Sequence, residues 1–217
     1  MTFSLRIPLA AAIAAVLSAL SGTAGAQSGA VSAVAVAADH RLLGNRLYGG
    51  AARINIPLGG GHASVRLGAE RVSGNSRRTG VACAGLVMPG TCAPEPLRDD
   101  ASLNTATGGL GYRALVWERF AVDVGADVRV GRVQADTRGL MSERTLSSSK
   151  TLRGFELGID GSWFPWARLP LALEVGGSVG ELTPVVSEQL IDGYTPFEGG
   201  FGLTRVRVGV EWRARSR

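Results

Sequence analysis

Only two cysteines and two histidines occur in 217 residues, aromatics make up 6% and charged residues 19%. The charged share falls below the ~25% usual for soluble domains. Two cysteines and two histidines far from them in sequence leave no zinc ligand set, so no metal and no cofactor is expected. No apolar run reaches the ~18–20 residues of a spanning helix, which excludes a helical membrane protein. Glycine is plentiful instead, with 31 residues, roughly twice its ~7% average. It has no three-residue period, which excludes collagen, and abundant Val and Leu exclude wholesale disorder. An all-β chain remains.

The first 26 residues read as a secretory signal. Arg6 precedes an apolar core from Leu9 to Leu20, and Ala24-Gly25-Ala26 supplies the small-x-small cleavage pattern before Gln27. Such a core is too short to span as a helix. Residues 27–217 then form one domain. Export suits the cysteines: Cys83 and Cys92 lie nine positions apart in a Pro/Gly/Asp-rich stretch without a competing thiol. A disulfide between them is expected, limiting the unfolded chain by roughly 2–3 kcal/mol.

The mature chain alternates with period two. In residues 120–130, Phe120, Val122, Val124, Ala126, Val128 and Val130 share one parity, while Asp123, Gly125, Asp127 and Arg129 share the other. Successive strand side chains point to opposite faces, so one face is apolar and the other charged or glycine. The same rule yields eight strands, near 31–41, 48–57, 62–73, 103–116, 119–132, 152–163, 168–180 and 200–213. The tight connections are Leu58–Gly61, Trp117-Glu118 and Phe164–Ala167. Long polar segments, Gly74–Ser102, Val133–Thr151 and Glu181–Gly199, alternate with them. This pattern predicts an eight-stranded antiparallel transmembrane β-barrel with short periplasmic turns and long extracellular loops.

Parity fixes what such a barrel encloses. The inward set holds Arg41, Arg53, Arg66, Arg113, Arg129, Arg205 and Arg207 against Asp39, Glu70, Asp123, Asp127, Glu156, Asp160, Glu174 and Glu211. An eight-stranded lumen is just wide enough to be filled by side chains, and charges there must be paired. A salt-bridge network filling the lumen is therefore expected, with Gly68, Gly111, Gly125, Gly158, Gly176 and Gly209 making room for it. Trp117, Phe120, Trp163, Phe164, Trp166 and Trp212 gather by the short turns and the C-terminal strand, as an aromatic girdle at a membrane interface would. Outward-phase Arg71, Arg132 and Arg153 fall near the opposite ends, within snorkelling reach of lipid phosphates.

With these features the chain resembles the small eight-stranded outer-membrane barrels of Gram-negative bacteria, the OmpA-barrel, OmpX and opacity-protein group. The likeness rests on architecture over nearly all of the mature chain. It extends to Val206–Trp212, similar to the group's aromatic C-terminal strand, although Arg213–Arg217 follow. The resemblance implies an outer-membrane location, assembly by the barrel assembly machinery, a lipid and lipopolysaccharide environment, and a monomer.

Three function classes compete. An enzyme needs a nucleophile and a base within reach of each other; His62-Ala63-Ser64 resembles a lipid A deacylase arrangement, but it adjoins the Gly59–Gly61 turn, at the wrong leaflet. His40 beside Asp39 points to the face opposite Asp39. A small porin or narrow channel for passive transport is the alternative reading, set against a lumen crowded with Arg and acids. The leading expectation is a non-enzymatic structural or surface-interaction (adhesin-like) barrel whose long loops meet an extracellular ligand. Nucleic acid is not expected as a partner, because the bases lie on both faces without interleaved aromatics.

Overall fold

The computed structural model describes residues 30–40, 45–58, 62–83, 92–141, 143, 145–166, 169–184 and 201–213. The signal segment and Arg41 lie outside them. Eight strands form one closed antiparallel barrel in chain order: β1 (Ala30–His40), β2 (Asn45–Leu58), β3 (Ala63–Cys83), β4 (Cys92–Trp117), β5 (Phe120–Gly139), β6 (Thr145–Trp163), β7 (Leu171–Pro184) and β8 (Phe201–Arg213). Closure comes from β1 pairing with β8, Ala30 opposite Arg213 through His40 opposite Leu203. Every strand then has two neighbours along the barrel wall, which removes the open sheet edge that hydrocarbon does not tolerate.

The outer surface carries the apolar parity. Leu67, Leu110, Val128, Val130, Phe155, Leu157, Ile159, Val175, Val179, Val206, Val208 and Val210 are all exposed. A water-soluble protein does not leave a continuous apolar belt of this kind uncovered. At its turn end the belt meets Trp117, 73% exposed, with Trp163, Trp166, Trp212 and Phe120 also exposed and Phe164 half-buried. Tyr112 joins this end and stacks on His62, ring centroids 6.0 Å apart.

The structure departs from the predicted strands in two respects. The segments read as long loops are largely strand. The β3–β4 ladder runs up to Cys83 opposite Cys92, β4–β5 to Leu97 opposite Gly139, and β5–β6 to Arg138 opposite Thr145. Meanwhile β2 stops pairing with β3 at Tyr48–Ser73, and β7 with β6 at Leu152–Pro184. Among the described residues, four strands therefore continue as a wall beyond the other four. Second, β1 takes the opposite phase from that read in the sequence. Its register puts Asp39 opposite Thr204 and Arg46, in phase with exposed Tyr48 and Val206, so Asp39 occupies an outer-face position and leaves the expected lumen set. The reason is that both parities of β1 are small and apolar, so hydrophobicity does not choose between them.

Candidate functional site

The barrel interior has two storeys. In the storey nearer the short turns, strand parity sends Glu70, Arg66, Asp127, Arg129, Glu156, Asp160, Glu174, Arg205, Arg207 and Glu211 inward, and all of them are buried. On β5 and β6 acids face acids: Asp127 is the direct partner of Glu156, and Asp123 of Asp160. Cross-strand like charges repel, so these carboxylates draw their compensation from arginines, many of them across the lumen.

It comes from β2, β3, β5 and β8. Asp160 receives Arg53 at 2.7 Å, Arg66 at 3.0 Å and Arg207 at 2.8 Å. Glu156 is ion-paired with Arg129, with Arg205 and, at 3.1 Å, with Arg207. Glu70 takes Arg205 at 3.2 Å and Arg129 at 3.3 Å, and Arg129 Nη1 also donates to Thr105 Oγ1 at 2.8 Å. Arg53 lies 3.6 Å from Glu174, Arg66 lies 3.5 Å from Asp127, and Ser162 Oγ donates to Glu211 at 2.5 Å. Because the bonds cross the lumen, they tie opposite walls together as well as neighbouring strands. Arg113 and Asp123 pair with each other at 3.0 Å but are only partly buried, at the turn-side mouth. Thr105 and Ser162 are members that charge parity alone does not flag.

Glycine makes the space. A Cβ on Gly125 would stand 1.5 Å from Arg66 Nη1, and one on Gly176 would stand 2.0 Å from Asp160 Oδ1. Gly111 likewise lies against the Arg66 stem and Gly158 against Arg207. Arg66 thus passes over two residues without side chains to reach the acids of β5 and β6. What empty space is left at the turn-side mouth is a cavity of about 60 Å³, lined by Arg53, Asn55, His62, Ser64, Arg113 and Asp123 among others.

The second storey, toward the far end, is apolar. Leu47, Val72, Ala101, Leu103, Val133, Ala135, Leu152 and Leu182 are buried in one cluster. Leu103 is the direct partner of both Val72 and Val133, so the cluster bridges β3, β4 and β5 inside the barrel. This corrects the expectation of a lumen filled by salt bridges throughout: ions occupy one storey and hydrocarbon the other. Above it, Asp99 is buried and accepts from Thr137 Oγ1 at 2.5 Å, while buried Glu95 accepts from the Met141 amide at 3.2 Å. The sequence did carry the signal, since Glu95, Leu97, Asp99, Ala101 and Leu103 share one parity and all are buried. Two prolines and a dense acidic stretch made it read as loop.

His62 Nδ1 lies 3.3 Å from the carbonyl oxygen of Arg113, and its ring stacks on Tyr112; it sits at the turn side with the aromatic girdle. The side chains of Asp39, His40, Cys83 and Cys92 lie outside the described ones, but Cys83 and Cys92 face each other as Cα partners at the end of the β3–β4 ladder.

No family model and no curated protein sequence matches the chain. Among solved structures it is similar to a major outer membrane protein from Thermus thermophilus, with 14% identity, 88% of this chain and 100% of that one covered, and a TM-score of 0.58. It is also similar to Ail, the attachment invasion locus protein of Yersinia pestis, with 12% identity over 87% of this chain and 97% of that one, TM-score 0.48. A third is Neisserial surface protein A, with 12% identity over 86% of this chain and 96% of that one, TM-score 0.46. A closed eight-stranded sheet with an apolar belt outside and ions inside is what a bilayer selects, and the chain has the fold of the small eight-stranded β-barrels of the outer-membrane type.

Proposed function

We propose that this barrel is a non-enzymatic surface-interaction protein whose working part is the β3–β6 wall. The observation that supports this most is the continuation of four paired strands beyond the apolar belt, where a membrane anchor alone needs only short turns. The wall's outer face presents Arg77, Arg98, Asp100, Asp136 and Arg138, all exposed. Its inner face is fastened by Asp99 to Thr137 and by Glu95 to the Met141 amide. A stiff, charged platform on a rigid scaffold suits binding of an extracellular ligand, because little ordering entropy is lost on contact. The buried apolar storey favours this reading over passive transport, since it fills the cross-section that ions or solutes would need.

The test is a truncation in which an Asn-Gly turn replaces residues 77–98, joining the paired Ser76 and Asp99. Cells carrying the wild-type barrel are expected to retain extracellular-matrix or serum components, and cells carrying the truncated barrel to lose them. Heat-modifiable gel mobility should be unchanged in both. Equal retention by the two barrels would remove the β3–β4 end of the wall from any binding role.

A further inference from the structure

On each strand of the barrel wall, one residue is the first polar group after the apolar belt. On β3 it is Arg71, on β4 Asn104, on β5 Arg132 and on β6 Arg153. Asn104 is the direct partner of both Arg71 and Arg132, and Arg153 stands opposite Val130, two residues along β5 from Arg132. All four are exposed. Two strand spacings separate Arg71 from Arg132, roughly 10 Å, and Arg132 and Arg153 are diagonal neighbours, ~7–8 Å apart.

The arginines have no carboxylate partner among the described residues; Arg132 Nε donates instead to Ser149 Oγ at 2.6 Å. The run of arginines stops at β6. On β7 the equivalent position is the exposed acid Glu181, on β8 Thr204 and on β1 Asp39. Below the arginines the outer column of β4 narrows to Ala106 and Gly108, whose direct partners are Ala69 and Leu67 on β3 and Val130 and Val128 on β5. Further down the same strands an open apolar groove runs between Leu110, Tyr112, Val124 and Leu157 over Ala126.

We propose that Arg71, Arg132 and Arg153, with Asn104 between them, form a binding site for a bisphosphorylated glycolipid of the lipid A class, its acyl chains lying along the small-residue trough of β4. Guanidinium groups match phosphate geometry with paired N–H donors, and an ammonium or amide does not. Their spacing over three strands offers two separate phosphate positions, which a headgroup with one phosphate does not fill. A site at the outer boundary of the belt, with an apolar trough beneath it, suits a ligand that is anionic above and hydrocarbon below. The site is separate from the β3–β6 wall tip and stands whether or not the wall binds anything.

The refolded barrel is titrated in neutral detergent with bisphosphorylated lipid A, monophosphorylated lipid A and phosphatidylglycerol, and bound lipid is counted by native mass spectrometry. Wild-type protein is expected to prefer the bisphosphorylated form at least tenfold over the other two. The combined Arg71→Gln, Arg132→Gln, Arg153→Gln variant should lose that affinity at least tenfold and show no preference. Glu181→Gln should leave binding unchanged. Each arginine replaced singly should lose about three- to tenfold, which carries the test if the triple variant fails the heat-modifiability check. Equal binding of phosphatidylglycerol, equal binding of the monophosphorylated form, or an unaltered triple variant would each overturn the assignment.

Discussion

The two storeys of the lumen solve the same packing problem with opposite chemistry. In the turn-side storey the interior is ionic, and each charge is held by partners on other strands, so its stability is collective. In the far storey Leu47, Leu103, Leu152 and Leu182 pack as an ordinary core, and stability is a sum of apolar contacts. Buried ions contribute little net stability over an apolar filling, but removing one partner is severe because an unpaired charge remains inside. The ionic storey should therefore be brittle and the apolar storey graded. The ionic half also specifies register: Asp160 and Glu156 each meet three arginines, and a one-residue slip of any strand would send its charges to the lipid side.

The largest expected effect comes from Glu156→Gln, which strips a charge shared by Arg129, Arg205 and Arg207. Removing one member of a buried ion cluster costs about 3–5 kcal/mol, read as a lower urea midpoint for the folded gel band in lipid vesicles. Replacing the same position by a residue that restores no charge, such as Leu, should not rescue it. Second comes Leu103→Ala in the apolar storey, expected to cost about 2–4 kcal/mol through lost contacts and a residual cavity. Leu103→Met, which keeps the volume, should cost less than ~1.5 kcal/mol; that graded response is what distinguishes this storey from the ionic one. Smallest is Gly125→Ala, where the new methyl meets the Arg66 guanidinium. Because that group ends a flexible side chain, it is expected to shift at a cost of about 1–3 kcal/mol. A Gly125→Ala effect as large as that of Glu156→Gln would mean that Arg66 cannot be re-routed.

Much of this was legible from period two. Where the two parities differ sharply, as in Phe120–Val130, the sequence assigns faces, strand and lumen charges together. The glycines were legible for the same reason: an inward glycine beside an inward arginine has a volumetric meaning that it lacks elsewhere. Legibility failed where the two faces are alike. In β1 Ala33, Ala35 and Ala37 alternate with Val34 and Val36, and only pairing with β8, where Val36 meets buried Arg207 and Ala37 meets exposed Val206, fixes the phase. It failed again past the belt, where the outward face becomes polar and the inward face carries Asp99 and Glu95 beside Leu97. Polarity on both faces looks like loop until each buried acid is matched with its partner. The lumen's division into storeys was missed because Val72, Leu103 and Val133 lie at the predicted strand ends, where the hydrophobic parity switches from lipid-facing to inward.

A closed lumen, sealed by cross-lumen ion pairs below and an apolar plug above, is the property on which the rest depends. Planar-bilayer recording of the refolded barrel tests it most directly. Wild-type protein should give no steady current above the bare bilayer, and replacing Leu103 and Val133 together by Asp should open one. Sustained, ion-selective conductance from the unaltered barrel would contradict closure.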